Sequence, residues 1–152
     1  MSATYQQARD AMFTLFYLAW TSNAPAIVGS VPEIRWQGKE VAAKPPVDNY
    51  WCRVSASNVG EPQGSLQSSV ASPGNRRYNA QGILVIELFC PMSVSDSHVK
   101  GEDLAVVARD AFKGKETSNG VWFRNATIKA RPASEDAYRF NIVVEYEYDD
   151  IG

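Results

Sequence analysis

The stretch YRFNIVVEYEY, Tyr138 to Tyr148, alternates without a break. Tyr138, Phe140, Ile142, Val144, Tyr146 and Tyr148 fall on one side of an extended chain, and Arg139, Asn141, Val143, Glu145 and Glu147 on the other. A period of two this regular predicts a strand with one face on a core and the other open to water or a partner. Just upstream, Pro132-Ala133-Ser134-Glu135-Asp136 has the composition of a hairpin turn. Before that turn, Val121 to Arg131 reads as another strand, with Trp122, Ala126, Ile128 and Ala130 expected on one side. Two strands joined this closely pair directly, so the sheet is mixed or mainly antiparallel.

Farther out, Tyr78 to Cys90 holds the most apolar run, Ile83-Leu84-Val85-Ile86-Glu87-Leu88-Phe89, and Pro91 stops it. Its nearly continuous apolar character predicts a central strand with both faces largely covered. Tyr50 to Ala56 alternates as a strand, and Ile34-Arg35-Trp36 is a shorter one between Pro32 and Gly38. Lys44-Pro45-Pro46 reads as a rigid extended connector. Tyr5, Ala8, Met12, Leu15, Phe16 and Ala19 mark one face of an N-terminal helix, capped by Ser2 or Thr4 and ended by Ser22-Asn23-Ala24-Pro25. Phe13, Tyr17 and Trp20 add a second apolar stripe, wider than one core needs; it suits either deep packing or contact with a neighbouring subunit. Leu104, Val107, Ala108, Ala111 and Phe112 mark a second helix, with Glu102 and Asp103 near its start and Gly114 just past its end. Runs of this kind predict an α+β fold: a sheet of about five strands with two helices packed on one face.

The length of 152 residues suits one domain, spanning 1–152. Ser57 to Arg77 differs from the rest, being rich in Ser, Gly, Pro and Gln with isolated apolar residues. Such a segment cannot bury much surface, so a long flexible loop is expected at 57–77 as an excursion from a hairpin.

Residues that carry chemistry are sparse. The single histidine, His98, sits in Ser95-Asp96-Ser97-His98. Neighbours in sequence cannot line up as nucleophile, base and orienting acid, so the cluster reads as a helix cap. Only a residue distant in sequence could give His98 a catalytic partner. The two cysteines, Cys52 and Cys90, lie in apolar strands and have no metal-ligand spacing, which predicts buried reduced thiols. Gly60, Gly64 and Gly74 precede no Lys-Ser/Thr, so no phosphate-cradling loop is read. Glu145, Glu147, Asp149 and Asp150 form an acidic stripe and tail rather than a cleft. No enzyme activity, cofactor or metal is therefore expected.

A net charge of −2 lacks the basic excess that phosphate neutralisation favours. Arg35, Arg53, Arg76, Arg77 and Arg124, with Tyr78, suit pairing with the acidic stripe of another copy better than nucleic acid. Ala11 to Trp20 is apolar but shorter than the ~20 residues a membrane span takes. Arg9 is offset by Asp10, so the charged leader of a secretory signal is missing, and a cytoplasmic setting is expected.

Taken in order, several segments resemble the tail terminator-like proteins of long-tailed, lambda-like bacteriophages and prophages. They are the N-terminal helix ending in Trp20; Pro45-Pro46 before Tyr50-Trp51-Cys52-Arg53-Val54; and Arg76-Arg77-Tyr78-Asn79-Ala80-Gln81-Gly82 leading into the strand Ile83 to Phe89. The Leu104 to Phe112 helix, Gly120 to Ala126 and the closing Tyr138-Arg139-Phe140-Asn141 strand complete the match. The resemblance is one of order, length and strand character over nearly the whole chain. It implies a non-catalytic virion tail protein, assembled in the host cytoplasm, that forms a hexameric ring. Such a ring caps the tail tube, stops tube polymerisation and offers a head-joining surface. The implied partners are further copies of itself, the tail tube protein and a head-side connector protein, with DNA passing through without specific binding and no membrane. Candidate interface residues are Phe13, Tyr17, Arg53, Arg76, Arg77, Tyr78, Glu145, Glu147 and Asp149. A different head–tail neck or tail completion protein, and a small α+β binding module, remain as alternatives.

Overall fold

The computed structural model describes residues 3–39, 43–60, 77–134 and 136–151. The element order is α1 (Tyr5–Asn23), a single turn α2 (Pro25–Val28), β1 (Glu33–Trp36), β2 (Trp51–Gly60), β3 (Arg77–Pro91), α3 (Ser97–Asp110), β4 (Trp122–Arg131) and β5 (Ala137–Ile151). The strands form one five-stranded sheet in the order β1-β2-β3-β5-β4. β1 runs parallel to β2 and the other pairings are antiparallel, so the expected α+β mixed sheet is what the chain forms. The most apolar strand, β3, lies at its centre.

Alternation builds the core. Cys52, Val54 and Ala56 of β2, every second residue from Ala80 to Cys90 on β3, and Phe140 to Tyr148 on β5 are buried on one face. α1 and α3 cover that face with Ala8, Met12, Phe16 and Trp20 from one helix and Leu104, Ala105 and Ala108 from the other. Phe16 ties the layers together: its ring lies 5.2 Å from Trp20, 6.3 Å from Phe112 and 6.2 Å from Trp36. Trp20 belongs to the core stripe, and its indole N–H donates to the Pro32 carbonyl at 3.2 Å. Cys52 and Cys90 are free and buried; burial pushes the Cys90 thiol up to about 12 and Cys52 higher still.

Local chemistry sets the ends of α1. Thr4 accepts from the Gln7 backbone N–H at 3.2 Å while Gln7 accepts from the Thr4 N–H at 3.0 Å, a reciprocal capping box. α3 departs from expectation at its start. Asp96 is the N-cap residue but sits in the left-handed region at φ 55°, and no side chain caps the helix. A capping side chain needs an extended N-cap backbone to reach back to the first N–H groups, so the Ser95–His98 cluster does not act as predicted. Because α3 begins at Ser97, Glu102 and Asp103 lie beyond its first turn. Past Asp110 one further turn carries the chain to Gly114, at φ 70°, the left-handed residue that the sequence supplies there.

Gly101 marks the tightest approach of α3 to the sheet, since a Cβ there would lie 2.5 Å from Cys90 Sγ and 2.9 Å from Phe140. Alanine in a helix interior gains about 1 kcal/mol over glycine, whereas overpacking a core costs about 1–3 kcal/mol. Gly101→Ala is therefore expected to destabilise the chain by about 1 kcal/mol net. Chemical denaturation measures this, and removing the Cys90 sulfur with Cys90→Ala should shrink the cost.

Three sequence expectations change. Ser57 to Gly60 continue β2, pairing with Ile83, Gly82 and Gln81, and Arg77 opens β3, so the ends of the segment drawn as a loop at 57–77 are strand. Ser57 lines the open face, and Asn58, on the helix-side face, is satisfied there by the Tyr146 and Tyr148 hydroxyls. Residues 61–76, the rest of that loop, lie outside the described residues. β3 is central, but only its helix-side face is fully covered; Ile83, Val85 and Phe89 on the other face are half-buried. Finally, Trp122 does not share a face with Ala126, Ile128 and Ala130. The β4–β5 register slips between Arg124 and Thr127, where Asn125 takes a φ of 53°. One extra residue in a bulge reverses the side on which the following residues fall. Phe123 thus enters the core against Phe112 at 5.0 Å, while Trp122 stays 53% exposed on the other face.

Candidate interaction surface

The residues singled out as interface candidates fall on two surfaces. Phe13 and Tyr17 lie on the flank of α1 that overhangs β1. Their rings meet Trp36 at 5.1 and 6.5 Å, leaving a groove of about 410 Å³ walled also by Arg9, Gln37 and Lys39. Tyr17 is 49% exposed. Arg53, Glu145, Glu147 and Asp149 all lie on the sheet face turned away from the helices. Arg76 lies outside the described residues. Arg77 and Tyr78 open β3 opposite Ile151 and Asp150, and their side chains lie outside the described residues.

Register arranges the open face in rows across the strands. One row runs Glu33, Trp51, Phe89, Arg139, Arg131; the next runs Arg35, Arg53, Glu87, Asn141, Lys129. A central row of Ser55, Val85, Val143 and Thr127 is uncharged. Beyond it come Ser57, Ile83, Glu145 and Arg124, then Gln81, Glu147 and Trp122, then Asn79 and Asp149.

At one end, Trp51 and Phe89 stack at 4.1 Å with planes 6° apart. Arg35 and Arg53 each lie 5.5 Å from the Trp51 ring, and Arg139 lies 5.4 Å from Phe89. Glu87 holds Arg53 at 3.8 Å and Arg139 at 3.7 Å, beyond hydrogen-bond reach. At the other end Arg124 pairs with Glu147 at 3.2 Å, and Asn125 donates to Glu145. The arginines expected to seek another copy's carboxylates thus have carboxylates of their own chain in Arg53 and Arg124. Arg35 is held likewise, by Glu33 at 3.2 Å and by the Ala43 and Lys44 carbonyls. Arg53 and Arg124 are half exposed, and surface pairs of that kind contribute about 0–1 kcal/mol each, whereas Arg35 is largely buried and fixed in place.

Sequence reasoning missed Trp51, Phe89, Glu87 and Arg139 as one cluster. Each sits at an outward strand position that the alternation marks, but only the β2–β3–β5 register makes them neighbours.

His98 stands on α3 with Nδ1 3.1 Å from Glu102, one turn on, and its ring against Tyr138 and Phe140 at 5.3 and 5.2 Å. The distant residues it meets are therefore aromatic. Among the described residues no group of three or more His, Cys, Asp or Glu is placed to hold a metal ion. No described helix is long and apolar enough to cross a membrane.

No family model matches the chain, and no curated protein sequence matches it. Solved structures do share its fold. One superposes with a TM-score of 0.61 at 14% identity, covering 92% of this chain and 94% of its own. Another is a chain from the virion of a native gene transfer agent particle, with a TM-score of 0.55 at 15% identity and 92% of each chain covered. The chain is thus similar in fold, over 92% of its length, to a component of a virion.

Proposed function

We propose that this chain is a non-catalytic structural protein of a virion, a tail terminator that closes into a ring on the end of the tail tube. There it stops tube polymerisation and presents a joining surface to the head-side connector. The observation that carries this reading is the fold shared over 92% of both chains with a component of the gene transfer agent virion. The surfaces support it. A ring needs two different edges of each copy to fit each other, and the Phe13–Tyr17–Trp36 groove on one flank and the β4 strand on the opposite edge are two such edges. The number of subunits, six, follows from the tail terminator resemblance. DNA would pass the ring without specific binding, because the overall charge of −2 supplies no phosphate-neutralising excess.

Native mass measurement with electron microscopy tests the reading. The expected result is a closed ring, alone or on added tail tubes, and tubes that stop growing once the protein is present. Tyr17→Glu places a charge in the α1 groove and is expected to abolish the ring while leaving the monomer folded. A protein that stays open at every concentration, and leaves tube length unchanged, would overturn the proposal.

A further inference from the structure

The open sheet face is divided by charge along its strands. Around Trp51 and Phe89 lie Arg35, Arg53, Lys129, Arg131 and Arg139, against Glu33 and Glu87. Trp51 is itself only 6% exposed, beside residues 44–47, and Arg35 is tied to the Ala43 and Lys44 carbonyls, so the open part of this end is its β3–β5–β4 side. Past the uncharged Ser55–Val85–Val143–Thr127 row lie Glu145, Glu147 and Asp149, against Arg124. One end is net basic and the other net acidic.

β5 carries this division in five alternate residues: Arg139, Asn141, Val143, Glu145, Glu147. A two-fold axis lying in the face, across the strands at Val143, exchanges the two ends. It sets Arg139 of one copy over Glu147 of the other and Asn141 over Glu145. On β4 it brings Lys129 near Arg124, a like-charge pair at the edge of the contact that the Arg139–Glu147 pairs must offset. Arg131 then lies over Trp122, an aromatic face for a guanidinium, and the Val85–Val143 rows meet at the axis. We propose that this face is a self-complementary contact, on which a second copy of the chain docks face to face with its strands antiparallel to the first.

Three observations favour a second copy over other occupants. The same patch supplies both signs of charge, which is what a two-fold contact requires and what a polyanion or a purely acidic partner does not use. Arg139 is held only loosely by Glu87 at 3.7 Å, and a guanidinium has five donors; Glu147 would share its carboxylate between Arg124 of its own chain at 3.2 Å and the incoming Arg139. The size also fits a reversible contact. β1 reaches only the first two rows, so four strands at a spacing of about 4.8 Å, over the nine residues from Arg139 to Glu147 at about 3.3 Å each, make a face of about 570 Å². Two such faces bury about 1,100 Å² in total, the size of a weak, reversible contact, below the ~800 Å² per partner of a standard interface.

The ring uses the α1 groove and the outer edge of β4, whereas this contact centres on the β5 face at Arg139, Val143 and Glu147, so the two share β4 but are tested at different residues. Its test is a charge exchange read by analytical ultracentrifugation. Arg139→Glu and Glu147→Arg each set like charges together twice across the axis, and each is expected to weaken pairing roughly a hundredfold, about tenfold per contact. Mixing the two variants places opposite charges at both contacts, so the mixture is expected to pair again where neither variant does alone. A second measurement avoids charge changes altogether. Because Cys52 and Cys90 are buried, Val143→Cys introduces the reactive thiol of the described residues, and oxidation should link two copies at the axis much faster than the exposed helix control Val99→Cys. Unchanged pairing in Arg139→Glu, no recovery on mixing, or equal crosslinking of the two thiol variants would overturn the proposal. A ring that closes without crosslinking at Val143 would remove this contact and leave the tail terminator reading standing; crosslinking without a ring would do the reverse.

Discussion

Trp20→Ala is expected to lower the unfolding free energy by about 3–5 kcal/mol, the range for truncating a large buried aromatic. Trp20 is fully buried at the end of α1, where it stacks on Phe16 and holds the Pro32 carbonyl. Alanine would open a cavity between α1 and the segment entering β1, and leave that carbonyl without its donor. A urea titration followed by circular dichroism reads the loss as a lower midpoint with an unchanged slope. Trp20→Phe separates the two causes, since it keeps most of the ring volume and loses the hydrogen bond; about 1–3 kcal/mol should remain as its cost. Tyr17→Ala, three residues away on the exposed flank, should cost far less. A comparable loss there would mean that the flank is core rather than docking surface.

Gly82→Val is expected to cost about 3 kcal/mol, at the upper end for overpacking. Valine favours strands over glycine by up to ~1 kcal/mol, so the sign depends on space. There is none: a Cβ on Gly82 would run into the ring of Tyr146 and come within 2.5 Å of the Ser57 carbonyl. The missing side chain lets the Tyr146 ring lie across β3, where its hydroxyl donates to Asn58 Oδ1 on β2 at 2.6 Å. Asn58 in turn donates to the Tyr148 hydroxyl at 3.2 Å. This cross-strand bond closes the sheet next to the point where the chain leaves β2 at Gly60. A double-mutant cycle checks the cause: the Gly82→Val penalty should fall in an Asn58→Ala background, where the bond that the valine would break is already gone. Strict additivity would show that the valine acts through the backbone alone.

How the sequence relates to the surface is clearest at β4. The apolar positions from Val121 to Arg131 mark a strand, yet their straightforward alternation puts Trp122 in the core. Asn125 in the left-handed region inserts one extra residue, and everything before it changes sides. Nothing in the composition of that stretch requires a bulge, because asparagine only tolerates the conformation. The start of α3 failed for a similar reason. Asp96 has the right side chain for a cap and the wrong backbone for using it.

The chain's periodicity alone determined the α+β class, the central place of the Ile83–Phe89 strand, the burial of both cysteines and which side of β5 meets the core. Those properties follow from burying alternate or every third-to-fourth apolar residue, and they are local. The tertiary structure alone decided what stands next to what on the open face. Arg53, Glu87, Arg139, Trp51 and Phe89 come from three strands, and their adjacency is a matter of register. So is the division of Tyr138–Tyr148, whose outward residues run from Arg139 to Glu147, into two ends of opposite charge on a surface broad enough to be shared. Pairing between distant strands is fixed by the sum of all contacts across the sheet, and no single segment encodes it.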